Sequence, residues 1–182
     1  GLLGKEKPYN ASVGMRVALQ EVDIDADHVV LNLIQFYFDA ADPLAYVPHL
    51  FRRPAGKALH VLNVFGWDDG YTPWRTSAIL AAAMGGDMGT PSHRPEDLDT
   101  EGLDPVADLG LRETALPISG NVDVAGGGTI TGVSVAHTSD GSYDGHFVGV
   151  RNPEATVQIA AFLQDLFAGA VPTIPDIPIL VE

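Results

Sequence analysis

Residues 58–65 read ALHVLNVF, and Gly66 closes the run. It is apolar and β-branched, and it does not alternate; His60 and Asn63 interrupt it without giving it a polar side. Such a strand has to be covered on both faces, the condition met by parallel sheets with helices above and below. A short loop leads to PWRTSAILAAAM, residues 73–84. Pro73 suits a helix start, and the alanine-rich continuation favours helix. Strand, loop and helix make half of a βαβ unit. The fold class expected is therefore α/β.

A second strand is expected in GTITGVSVAH, residues 128–137, where Ile130, Val133 and Val135 are separated by small or polar residues. After a loop comes RNPEATVQIAAFLQDLFAG. Asn152 is a capping residue, Pro153 takes the first helical position, and Glu154 meets the positive end of the helix dipole. Ile159, Phe162, Leu163 and Leu166 form the expected apolar stripe, and Gly169 ends the helix. Near the start, Val29, Val30, Leu33, Ile34 and Tyr37 recur at helical spacing. They predict a helix over 27–40, capped by Asp25 or Asp27, with its apolar face in the core. A short helix over 43–50 follows. Residues 85–128 are rich in Gly, Pro and Asp and poor in apolar runs. They read as a long surface excursion rather than a cap over a site, and the tail 171–182 reads as extended. The chain is thus one domain in five stretches: a helical lead-in or cap (1–57), a strand–loop–helix (58–84), the excursion (85–128), a second strand–loop–helix (129–170) and the tail. Only two sheet strands can be placed.

Composition narrows the function. With 182 residues the chain has enough material for a real core. Twenty-four acidic against ten basic side chains give a formal charge of −14, a field that repels phosphate backbones and argues against nucleic acid. There is no cysteine, hence no disulfide, thiolate metal site or Cys nucleophile. No run reaches the length of a transmembrane segment. Acidic, cysteine-free composition fits an exported bacterial protein and a cytosolic one equally. The histidines lack HExxH or close-paired spacing, so no metal is expected. His28, His49, His60, His93 and His137 read as structural or solvent-facing. DIDADH, residues 23–28, begins like a calcium loop but has His28 at the sixth position and Ile34 at the twelfth, so it reads as an acidic helix cap. Gly126, Gly127 and Gly128 read as a flexible strand lead-in.

Chemistry concentrates at the two strand exits, where open α/β sheets collect their active residues. The first strand exits into Asp68 and Asp69, the second into HTSDGSYDGHFVG with His146. A carboxylate and an imidazole on neighbouring exit loops can meet, the carboxylate orienting the ring to take a proton from a nucleophile. GWDDGYTP, with Gly66, Asp69 and Pro73, and DGHF before the last helix resemble the acid and histidine loops of the α/β-hydrolase family of serine hydrolases. The likeness spans roughly residues 27–169. It implies that Asp69 is the triad acid and His146 the triad base, that no cofactor is used, and that the substrate is a small ester or a lipid. Asp68 is then expected to face solvent or to hydrogen-bond its own turn. Trp67 is expected in packing rather than on a pocket wall.

The family's nucleophile elbow is Gly-x-Ser-x-Gly. The serines at 12, 77, 92, 119, 134, 139 and 142 each lack one or both glycines. Chain order in the fold is Ser, acid, His, so the serine and its oxyanion-hole amides are expected upstream of Gly1. The chain is accordingly expected to be the C-terminal portion of an α/β-hydrolase fold, its last parallel strands and flanking helices. It would be incomplete without an N-terminal piece carrying the serine, since two strands alone would leave an apolar face uncovered. The rival is a non-catalytic hydrolase-like module used for binding or assembly. A hydrolase of the same fold acting on amides is a third reading.

Overall fold

The computed structural model describes residues 29–50, 54, 56–98, 102, 104 and 106–177. Ser12, Asp25, Asp27, His28, DIDADH as a helix cap and the last residues of the tail lie outside these. In chain order the elements are α1 (Val29–Phe38), a 3-10 turn (Asp39–Ala41), α2 (Pro43–Tyr46), a second 3-10 turn (Val47–His49), β1 (Val61–Gly66) and α3 (Trp74–Met84). Then come β2 (Asp87–Thr90), β3 (Arg112–Ala115), β4 (Ile118–Ser119), β5 (Val122–Asp123), β6 (Thr129–Ile130) and β7 (Gly132–His137). A third 3-10 turn (Gly145–Phe147), α4 (Val148–Arg151), α5 (Pro153–Phe167) and β8 (Thr173–Ile174) complete the order.

The molecule is of the α/β class. Its main sheet has the order β1-β7-β2-β3, every neighbouring pair parallel, with helices packed on it. β7 is buried along its whole length. One face carries Phe65 and Ala136 against Trp74, Ala78 and Ala81 of α3. The other carries Val133 and Val135 with Phe162 of α5, Ile118 and Ile174. Coverage of both faces is why β1 and β7 tolerate apolar side chains at successive positions.

Several expectations need correction. The sheet has four strands, not two, because the stretch 85–128 is more than a surface excursion: it supplies β2 and β3. Both strands are short and polar, DMGT and RETA, and they carry no apolar run to announce them. An ion pair with a buried carboxylate holds them together. Asp87 is 3% exposed and accepts from Arg112 Nε at 2.6 Å and from Thr114 Oγ1 at 2.9 Å. The apolar side chains of β7 are buried and those of β1 are half-buried or buried.

The second strand is also split. Gly126, Gly127 and Gly128 turn the chain at positive φ between β5 and β6, and β7 begins only after Thr131. Thr131 is fully buried; its N–H donates to His60 Nδ1 at 3.0 Å and its hydroxyl to the Pro172 carbonyl at 2.5 Å. In α1 the expected stripe is only partly covered: Val30 and Ile34 are half-buried, whereas Val29, Leu33 and Tyr37 are more than 60% exposed. Phe36 and Phe38 are exposed too, so apolar residues lie outside the stripe as well and the period alone does not select the buried side. In α5 the buried side chains are Ala155, Gln158 and Phe162, whereas Leu163 and Leu166 are exposed. The cap itself is as expected, with Asn152 Oδ1 accepting from Ala155 N at 3.1 Å.

Candidate functional site

β1 and β7 run side by side in register, Val61 opposite Gly132 through Gly66 opposite His137. Both therefore end at the same edge of the sheet, and Trp67 N–H donates to the His137 carbonyl at 2.9 Å just beyond it. The loop after β1 (the acid loop) and the loop after β7 (the histidine loop) start as neighbours. Glycines then let them press together. A Cβ on Gly66 would overlap the Gly145 carbonyl, and one on Gly145 would stand 2.6 Å from Asp69 N.

Asp69 and His146 meet there. Asp69 is nearly buried, its side chain 7% exposed, and its Oδ1 accepts from the backbone amides of Tyr71 and Thr72, both at 2.7 Å. Those two bonds pin the carboxylate and turn Oδ2 toward His146 Nδ1, 3.1 Å away. A carboxylate only accepts, so Nδ1 carries the proton and the lone pair lies on Nε2. The ring is 45% exposed, and Nε2 has no hydrogen-bond partner among the described residues. The Tyr71 and Phe147 rings flank the imidazole at 5.0 and 5.3 Å between centroids. In this geometry Nε2 can accept a proton from a hydroxyl brought to it, and the buried carboxylate can stabilise the resulting imidazolium.

Two further carboxylates stitch the loops. Asp68 is exposed, as expected, but it does not bond its own turn. It crosses to the histidine loop, where Oδ1 accepts from Ser139 N at 3.0 Å and Oδ2 accepts from the Ser139 hydroxyl. Asp144 reaches the other way: its Oδ1 accepts from Gly70 N at 3.1 Å and from His146 N at 2.8 Å. Sequence reading passed over Asp144. Its signal was an Asp two residues before the histidine, the pattern of a side chain that closes a turn on its own backbone.

Among the described residues, no serine hydroxyl hydrogen-bonds the His146 imidazole. Ser134 is buried inside β7 and its Oγ takes a bond from Asn63 Nδ2 at 3.2 Å. Trp67 is a core residue, 2% exposed, packed against Phe65 and Trp74, with Nε1 donating to the Ser92 carbonyl at 2.6 Å.

Behind the site lies a second imidazole group. His137 is 3% exposed, and its Nε2 faces Gln158 Oε1 at 3.0 Å. Gln158 Nε2 donates to the Pro175 carbonyl, so its oxygen has to be the acceptor and His137 Nε2 the donor. His137 Nδ1 is then bare and buried, 3.7 Å from Glu154 Oε2, an oxygen that also lies 3.3 Å from His93 Nε2. Burial holds the His137 pKa below the usual imidazole range; the Gln158 bond and Glu154 oppose this and His93 adds to it.

No group of three or more His, Asp or Glu is placed to hold a metal ion among the described residues. Nor is any helix among them long and apolar enough to cross a membrane. A cavity of about 310 Å³ lies at the amino ends of β2 and β3, lined by Gly86, Asp87, Arg112 and Asn121, at the opposite end of these strands from their exits. Comparison of the chain with protein-family models, with curated proteins and with solved structures finds no match.

Proposed function

We propose that this chain carries the acid and the base of a serine hydrolase of the α/β-hydrolase type, acting on carboxylic esters. The observation that carries the reading is the 3.1 Å contact between Asp69 Oδ2 and His146 Nδ1, made across the exits of two adjacent parallel strands with the far side of the ring open. Residue types, chain order and position beyond the strand carboxyl ends all agree with that chemistry.

In the proposed reaction His146 Nε2 takes the proton of a serine hydroxyl as its oxygen attacks the acyl carbon. The imidazolium then gives that proton to the departing alcohol, leaving an acyl-enzyme. Water repeats the cycle with the same base and releases the acid. Asp69 holds the ring as the Nδ1-protonated tautomer throughout. The serine comes from polypeptide outside the described residues. β1 offers it a way in, because it is the end strand of the sheet and among the described residues only one of its two edges is paired.

The test uses the protein expressed with its whole coding sequence. A serine-directed phosphonate probe is expected to label it, and ester hydrolysis is expected to fall about 10⁴-fold in Asp69→Asn with KM little changed. Asp140→Asn is the control, since Asp140 bonds only within its own loop, to Ser142. No labelling, together with Asp69→Asn as active as wild type, would overturn the reading and leave a non-catalytic binding module.

A further inference from the structure

We infer that Asp144 is the positioning residue that sets His146 against Asp69, an inference that rests on the catalytic use of that pair proposed above. One oxygen does the joining. Asp144 Oδ1 accepts from the backbone amide of Gly70, which follows Asp69, and from the backbone amide of His146 itself. The imidazole–carboxylate bond therefore closes a ring of contacts. It runs from Asp144 Oδ1 to Gly70 N, back along the chain to the Asp69 carboxylate, across to the ring, down to His146 N and back to Oδ1. Both partners are referenced to a single atom, which fixes their separation more tightly than either loop does alone.

The local sequence is shaped to let this happen. Asp144 caps the 3-10 turn Gly145–Phe147, so the turn that presents the imidazole begins at the bridging residue. Gly70 has no side chain, and a Cβ there would stand 2.6 Å from Asp144 Oδ2. Of the other acids nearby, Asp140 stays within its own loop, and Asp68 grips the histidine loop only at Ser139, near its base. Among the described residues, Asp144 is the acid that bonds the backbone of both loops beside the reacting ring. It touches no substrate; it acts through His146.

Removing the bridge should free the ring to turn and to exchange its tautomer before it costs the fold. In Asp144→Ala, ¹⁵N NMR of His146 in the full chain is expected to show loss of the dominant Nδ1-protonated tautomer. Turnover of an ester should fall about 10- to 100-fold with KM within about twofold. Asp144→Asn retains a carbonyl oxygen for both amides and is expected to keep the tautomer and to stay within about tenfold of wild-type turnover. Gly70→Ala, which keeps the carboxylate but crowds it, should reproduce the alanine phenotype even if Asp144→Ala folds poorly. A wild-type tautomer and wild-type kcat in Asp144→Ala, whatever its melting temperature, would overturn the inference. If no form hydrolyses esters, wild type included, the catalytic reading fails and the tautomer measurement decides on Asp144 alone.

Discussion

Trp67 follows Gly66 at the end of β1 and sits at the join between core and site. Its ring is enclosed, and its indole N–H satisfies the carbonyl of Ser92 on the loop leaving β2. Two variants separate the packing from the bond. Trp67→Phe should cost about 1 kcal/mol, the worth of one hydrogen bond whose acceptor stays behind. Trp67→Ala should cost about 3–5 kcal/mol through the cavity it opens. Urea denaturation measures both, and equal losses would contradict this division. At this scale the sequence was informative about residue type and weak on direction. Asp69 and His146 could be singled out because a carboxylate and an imidazole in the loops that follow two apolar strands have few uses. Where Asp68 points could not be read, because its partner Ser139 lies 71 positions away and only the parallel pairing of β1 with β7 brings it near.

Among the elements, the apolar ones were legible and the polar ones were not. β1, α3, β7 and α5 each carry an apolar run or a cap. β2 and β3 carry two carboxylates, a guanidinium and two threonines, and three of these, Asp87, Arg112 and Thr114, bond to one another across the pair. A pattern search weighs hydrophobicity and cannot see complementarity between segments 25 residues apart. The ion pair is also lopsided, with Arg112 67% exposed and Asp87 buried. Arg112→Ala strands a buried carboxylate and should cost about 1–3 kcal/mol. Its urea midpoint should fall well below that of Arg112→Lys, which keeps a charge at the pair; equal midpoints would mean the pair does not hold the strands together. α1 and the outer face of α5 show the converse limit: apolar residues in helical register need not mark a buried side.

Taken whole, the molecule carries one imidazole at each end of the β1–β7 pair, buried His137 at the exits and half-buried His60 at the opposite end, and its stability should follow both. Burial lowers the pKa of His137, and burial with the charge of Lys57 lowers that of His60. Folding therefore favours the neutral imidazoles. Their contribution is complete above the unfolded value of about 6.5 and is lost as pH falls through the folded values. Melting temperature should accordingly decline as pH drops from about 7 toward 5. His137→Gln, which cannot titrate, should flatten part of that slope; an unaltered slope would rule out His137 as its source. The close approach of Gly66 to Gly145 has a kinetic corollary. Main chain lies against main chain there, with no side chain between to act as a hinge. The seam cannot breathe by rotamer motion, so deuterium should enter the amide of Trp67, held by the His137 carbonyl beside it, only when β1 and β7 part company.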